Sequence, residues 1–380
     1  MATDTARKSV PLWSRLLAPA NAPTYQRKEA IIGWLMAAPA IILIFTFLIL
    51  PFFMAFGFAF TNQRLISPNP TEFVGWRNFQ NLLTVRTFTL DPLLDEETGL
   101  PVLDEDGNPT YPRLRDYTRG NPDYPELDGL REWFSWNIGE TRVYMLASDV
   151  LFMKALFNTT LFVLFVAPIQ GGLALLLALL INQKLRGINI FRTVYFMPVV
   201  TSLIVVSFLW RFIYDGQNGM LNTILSAITF GAFQPHDWLG DPSTALWSIL
   251  IMSVWQGVGF HMVIWLAGLQ NIPGTLYEAA SIDGAGRWQK FRFVTWPGLR
   301  STAVFVLVVI TMQAFSLYAQ IQAMTRGGPL DSTQSIVFQT VIRGYEKQDI
   351  AGGSTISVVL FFFVLIITLV QRYLTREKTA

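Results

Sequence analysis

The chain of 380 residues has no cysteine, which removes disulfides and thiol chemistry while leaving the compartment open. It has two histidines, His236 among turn-forming residues and His261 standing alone, so the convergent His, Asp, Glu or Ser set that a membrane enzyme needs is not in view. Charged residues are scarce at 14%, against about 25% in soluble domains. None of the long apolar runs contains Asp or Glu. A proton- or sodium-coupled carrier wants such a carboxylate inside the membrane; only Lys154 and Arg211 lie near run ends, where their stems let the charge reach the interface. A glycine-rich loop ending in Lys-Ser or Lys-Thr is also missing, and with it any means for this chain to cradle ATP phosphates.

What is present is apolar: 52% of the residues, with 30 Phe and 12 Trp. Runs near 31–60, 155–181, 194–213, 245–269, 301–321 and 354–373 are long enough, at about 20 residues, to cross about 30 Å of hydrocarbon. They predict six transmembrane helices, the fourth interrupted by Gln256, Gly257, Gly259 and His261. The first run resembles a signal peptide at its start, but it continues to Phe60, far beyond an h-region of about 7–15 residues, so it is expected to remain as an anchor kinked at Pro39 and Pro51.

Orientation follows from the basic residues of the short connections. Arg7, Lys8, Arg15, Arg27 and Lys28 precede the first run; Lys184, Arg186 and Arg192 follow the second; Arg287, Lys290, Arg292 and Arg300 follow the fourth; Arg372, Arg376 and Lys378 close the chain. Only Asp4, Glu29, Glu278, Asp283 and Glu377 oppose them, and 214–243 has no Lys or Arg. Both termini are therefore expected in the cytoplasm. The resulting organisation is a cytoplasmic tail 1–30, helix 31–60, an extracytoplasmic insertion 61–153, a five-helix core 154–373 and a tail 374–380.

The insertion carries fifteen Asp and Glu against eight Arg and no Lys, with acidic centres at Asp95-Glu96-Glu97 and Asp104-Glu105-Asp106. It reads equally as a solvated loop insertion and as a platform for an external partner, using Tyr111, Tyr117, Tyr124, Trp133 and Trp136. Asp104 to Asn108 lacks the spaced ligands and terminal Glu of a calcium loop, so no metal is expected.

Residues 278–297, EAASIDGAGRWQKFRFVTWP, suit a docking loop better than a span. Thr275 with Glu278 predicts a capping box, Ala279 and Ala280 a flat helix surface, and Asp283 with Arg287 an ion pair one turn apart. Gly284 and Gly286 permit a bent or left-handed backbone between two helices, the second carrying Trp288 and Phe291 and stopped by Pro297. In this order Glu278, Ala279, Ala280, Asp283, Gly284, Ala285, Phe291 and Pro297 resemble the Glu-Ala-Ala loop of ABC importer permeases.

The resemblance extends to FVGWRNF at 73–79, FRTVYFMPVVTSLIVVSFLW at 191–210, GMLN at 219–222, WQGVGF at 255–260, LQNIPGTLYEAASIDGAG at 269–286 and MTRGGPLDST at 324–333, which look like carbohydrate permeases of the maltose and glycerol-3-phosphate importer type. It implies an all-α integral membrane fold, a six-helix permease bundle in a bacterial inner membrane. It also implies a non-catalytic role, a sister permease, two ATP-binding subunits that hold ATP and Mg themselves, and an extracytoplasmic binding protein that delivers a sugar; no nucleic acid enters. Residues Glu278, Ala279, Ala280, Asp283, Gly284, Ala285, Arg287 and Phe291, in the loop 271–297, would then couple to the ATPase. A neutral, hydroxylated solute needs amides, hydroxyls and aromatic faces, offered by Trp255, Gln256, Phe260 and His261 on the fourth helix and Gln313, Ser316 and Tyr318 on the fifth. In the maltose permease the sugar contacts fall on the matching stretches, which hold Trp255, Gln256, Gly257 and Phe260, and Gln313. The alternative for Gln256 and Gln313 is bonding to a neighbouring helix, the reading given to Asn158 and Gln170; for Trp255 and Phe260 it is packing, and His261, a lone histidine beside an aromatic, is read as structural. The larger maltose subunit has extra N-terminal helices and its big loop elsewhere, so the role of the insertion is not carried over.

Overall fold

Long apolar sequence can satisfy its backbone without water only as helix, and helix dominates the computed structural model, which describes residues 24–95, 97–105, 107–183 and 187–375. Asp4, Arg7, Lys8, Arg15, Glu96, Asp106, Lys184, Arg186, Arg376, Glu377 and Lys378 lie outside the described residues, as do the ends of both expected tails. The chain divides into two units, Met1–Phe58 and Ala59–Ala380.

In the first unit α1 (Thr24–Ile44) continues through a π turn, Phe45–Ile49, into α2 (Leu50–Ala59). Ala30–Ala59 is long and apolar enough to span. Pro39 lies within α1, and the π turn, closed by Leu50 N–H donating to the Phe45 carbonyl, ends just before Pro51. The wider turn accommodates a residue with no N–H to give.

The second unit opens with α3 (Arg77–Leu83) and β1 (Val85–Leu90), followed by β2 (Arg131–Ile138) and β3 (Thr141–Ala147). The strands form an antiparallel sheet in the order β1-β3-β2. The β2–β3 hairpin turns at Gly139 and Glu140, with Gly139 at φ +62°. One face of the sheet, Phe88, Leu90, Tyr144 and Leu146, packs with Leu127, Leu130, Tyr111, Tyr117 and Tyr124. The insertion thus has its own core, and the three tyrosines expected to face a partner are part of it. Trp133 packs instead in a cluster with Phe152 and Met153, and only Trp136 of the five aromatics stays exposed. The acidic centres are turn-formers: Asp95 accepts from Thr98 N–H, its hydroxyl and Glu97 N–H, bonds that hold its carboxyl below the usual range, and Asp104 Oδ1 accepts from Asn108 N–H at 2.8 Å.

Then come α4 (Val150–Ile181), α5 (Ile188–Val200), α6 (Leu203–Ile213), α7 (Met220–Ile228) and α8 (Ala245–Gln270). They lead to α9 (Gly274–Ile282), α10 (Arg287–Lys290), a π turn Phe291–Thr295 and a helical turn Trp296–Gly298, then α11 (Arg300–Phe315), α12 (Ala319–Met324), α13 (Ile336–Val341) and α14 (Ile350–Thr375). Among the described residues four helices are single spans; α5 with α6, bent by 99°, and Arg287–Gly298 with α11, bent by 67°, make up to two more. The third expected run is therefore bent within its length, whereas the 67° bend precedes the fifth, which is interrupted at 316–318 between α11 and α12. Pro198 and the β-branched Val199-Val200-Thr201 weaken the helix before the first bend, where Thr201 is extended. The interrupted fourth run is one continuous helix, and its core includes Ile249, Met252 and Met262, all fully buried.

Helix ends and connecting loops are tied by charge and by amides. Arg343 pairs through Nη1 with Asp149 at 2.6 Å and through Nε with Asp349 at 3.0 Å, while Asp149 also accepts from Phe152 N–H and caps α4. Asn78, within the FVGWRNF stretch, donates to the carbonyls of Ala59 and Thr61. Asn222, 3% exposed, donates to the carbonyls of Asp215, Gly216 and His236 and accepts from the Trp238 indole at 2.8 Å. Replacing Asn222 by Ala leaves that indole and three carbonyls short of a partner. The expected loss is about 2 kcal/mol, read as a lower melting temperature in detergent; an unchanged melt would show that Asn222 does not organise the 214–244 loop.

Candidate functional site

On α8 the residues Ser253, Gln256, Gly257 and Phe260 follow i, i+3, i+4, i+7 spacing and share one face. That face borders a cavity of about 600 Å³, closed on other sides by Gln170 from α4, Gln313 and Ser316 at the end of α11, and Gln320 on α12. Five of the six expected pathway residues, Gln256, Gly257, Phe260, Gln313 and Ser316, are brought together here. Trp255 is not: one residue off the stripe, it sits at 5.5 Å from the Trp210 ring and lines a separate, almost wholly apolar cavity of about 910 Å³. Tyr318 packs by Phe338 at 6.0 Å.

The cavity lining includes four glutamines and no Asp, Glu, Lys or Arg among the described residues. Gln170 reaches it across Gly257, where a Cβ would come within 2.2 Å of the Gln170 Nε2 atom. A Cβ here would displace the Gln170 amide from this position. Beyond, Gln170 Nε2 lies 3.0 Å from His261 Nδ1, which is 2.9 Å from the Gly257 carbonyl. His261 is fully buried and acts as a strut for this amide, with the Phe260 ring edge-on to it. Gln170 therefore bonds across helices, as its sequence reading held, and lines the cavity as well. Gln256 Nε2 approaches the Pro198 carbonyl only at 3.5 Å. Ser316 Oγ donates to the Met312 carbonyl at 3.3 Å. Gln170, Ser253 and Gln320 were missed as cavity residues; amides in apolar runs are the signal, but which face they occupy depends on helix crossings and on the break at 316–318.

The loop 271–297 forms the expected helix, elbow and helix. Ala285 N–H donates to the Ala280 carbonyl and Gly284 N–H to that of Ser281, with Gly284 at φ +75°, which is a Schellman ending. Gly286 is extended rather than left-handed, and its N–H is held by Gln289 Oε1 at 2.7 Å. Two further bonds brace the loop, Lys290 Nζ to Ser281 Oγ at 2.7 Å and Tyr277 to Thr295 through their hydroxyls at 2.9 Å.

Three expectations are corrected. The Thr275–Glu278 box does not form, because α9 starts at Gly274 with Pro273 as its cap, two residues before Thr275. Asp283 and Arg287 make no ion pair among the described residues; the elbow turns Arg287 onto a new helix, so one-turn spacing no longer applies. Pro297 does not stop the helix, since it falls in the helical turn after the π turn Phe291–Thr295. Glu278, Ala279, Asp283, Gly284 and Arg287 are exposed, Ala280, Ala285 and Phe291 half-buried, and Phe291 stacks on Trp288 at 5.5 Å. Exposed apolar Leu276, Ile282 (87%) and Trp288 flank them.

Bent spans around a charge-free polar cavity, with a braced loop joining two of its walls, define an inner-membrane transport component. The model of the family described as binding-protein-dependent transport system inner membrane component matches residues 170–379, and the chain belongs to that family. It is 28% identical to the trehalose/maltose transport system permease protein MalF of Thermococcus litoralis, over 90% of this chain and 93% of the relative. To the lactose transport system permease protein LacF of Rhizobium radiobacter the identity is 33%, over 63% of this chain and 81% of the relative. A chain in the crystal structure of a bacterial ABC transporter involved in the import of the acidic polysaccharide alginate superposes with a TM-score of 0.64 at 20% identity, across 94% of this chain and 99% of that one, which shows a shared fold.

Gly284→Val forces a β-branched residue to positive φ and should detach the ATPase subunits, as read by co-purification. Gly284→Asn, which tolerates that backbone, should largely keep them. Space is not the issue, since nothing lies within 4 Å of a Cβ at Gly284; equal retention by both variants would dissociate the elbow from coupling. Gly257→Ala should displace Gln170 and lower uptake at least tenfold, roughly the effect of losing one hydrogen bond of 1.5 kcal/mol. Normal uptake and stability in Gly257→Ala would refute the tight crossing.

Proposed function

We infer that this permease carries a neutral sugar or polyol, delivered by an extracytoplasmic binding protein, through the cavity at Gln256, Gly257, Phe260, Gln313 and Ser316. The observation that carries this is the lining itself: amides, hydroxyls and an aromatic ring with no ionised side chain. An anionic or cationic solute would need a fixed countercharge there. The volume, about 600 Å³, is within the usual range of about 300–1,000 Å³ for small-molecule sites, and the trehalose/maltose and lactose relatives favour the same class. Trp255 serves packing in this reading.

The chain hydrolyses nothing. Two ATP-binding subunits hold ATP and Mg, a sister permease completes the pathway, and the loop 271–297 is gripped from the cytoplasm, where both termini also lie. The Ala279–Ala280 surface with Leu276, Ile282 and Trp288 supplies an exposed apolar patch for that grip, and the sheet-bearing insertion faces outward. The test is reconstitution of all subunits in proteoliposomes with labelled lactose, maltose, trehalose and xylose. ATP hydrolysis should rise on adding loaded binding protein, and the sugar should accumulate even when ionophores collapse proton and sodium gradients. Accumulation without ATP, or its loss with the ionophores, would replace this reading by an ion-coupled carrier.

A further inference from the structure

The cavity amides differ in how far the protein itself uses them. Gln170 is committed to His261, and Gln256 has only its long approach to the Pro198 carbonyl. Gln320 stands apart: it lines the cavity, yet its Oε1 is buried and accepts no hydrogen bond. Buried carbonyl oxygens nearly always find a donor, and one left without costs the folded state its lost hydration. Placement explains the isolation. Ser316 ends α11, and α12 then carries Gln320 to the cavity edge, where the neighbouring lining residues Ala314 and Ala319 have no side-chain donors and the Ser316 hydroxyl is turned to the Met312 carbonyl.

We propose that Gln320 is a solute-contact residue whose amide turns from its buried position toward the cavity, so that Oε1 accepts a hydrogen bond from a hydroxyl of a neutral polyhydroxylated solute. This rests on the sugar reading of the cavity. An acceptor without a partner favours solutes rich in O–H donors, and the absence of a carboxylate beside it disfavours ammonium groups, which need a charge as well as an acceptor.

The test uses the complete reconstituted importer with saturating binding protein and whichever of lactose, maltose, trehalose or xylose the wild type accumulates. Gln320→Met, and in parallel Gln320→Leu, should slow uptake roughly 5- to 150-fold without lowering the melting temperature, because each removes a carbonyl the protein leaves unpaired. Monodeoxy analogues of the same sugar identify the bond: one of them should be carried more slowly than the parent by the wild type, and at the parent's rate by Gln320→Met. Normal uptake in both variants, a melt lowered by several degrees in both, or a deoxy penalty unchanged in Gln320→Met overturns the assignment while leaving the sugar reading intact. Failure of the wild type to accumulate any of the four sugars overturns that reading and this assignment with it.

Discussion

The seam between α4 and α8 is the contact on which the membrane part depends. In hydrocarbon no water competes for polar groups, and two apolar helices gain little from each other's greasy surfaces, so close approach and interhelical hydrogen bonds must hold them. Gly257 lets the Gln170 amide pass between the helices to His261, and the Trp265 indole donates to the Gly171 carbonyl at 3.1 Å. Ala174 and Ala178, both fully buried, continue the seam toward the end of α4. A further close crossing, at Gly259, brings α5 in: a Cβ there would come within 2.0 Å of the Tyr195 carbonyl. Small residues on α8 thus set where α4 and α5 sit, and their positions shape the cavity.

Prolines meet the helices in three ways. Pro51 and Pro297 each follow a π turn by two positions, Phe45–Ile49 and Phe291–Thr295, whose wide turn passes the missing N–H, although a 67° bend follows Pro297 at Leu299. Pro39 and Pro168 lie inside continuous helices, whereas at Pro198 the chain breaks within four residues and the Pro198 carbonyl is approached by the Gln256 amide. Irregular backbone at membrane depth is tolerated where it lines a cavity, and the 201–202 and 316–318 breaks both adjoin the amide-lined one, through Val199 and Leu203 on one side and Ser316 and Ala319 on the other.

Much of this was legible in the residues because hydrophobic length and the Gly284 elbow are local properties. The apolar runs gave the spans, and the i, i+3, i+4, i+7 stripe from Ser253 to Phe260 was there to be read. Trp255 lies about 100° around the helix from Gln256 and faces another cavity, a separation that closeness in sequence hides. The Asp283–Arg287 pair failed because the spacing rule assumes one helix, and the Schellman turn ends it between them. Tertiary facts were out of reach: the bends at 201 and 299, the sheet in an acidic insertion, and the crossing that carries Gln170 into the cavity all depend on partners distant in the chain.

Connectivity explains why one loop could move both walls of the cavity. Going down α8 from Gln256 to Gln270 covers about 21 Å, and going up α11 from Arg300 to Gln313 about 20 Å, at 1.5 Å per residue, so the two amides sit at similar depth above the same loop. That loop is closed on itself by the Tyr277–Thr295 and Lys290–Ser281 bonds. Its two ends touch: a Cβ on Gly298 would come within 2.9 Å of the Ile272 side chain, and one on Gly268 within 2.4 Å of the Thr302 hydroxyl. The loop thus joins α8 to α11 as a segment held together by its own side chains rather than as an open linker. Like α8, α11 packs along α4, with Val306 and Ile310 buried, and the 67° bend at Leu299 separates that packed stretch from the loop.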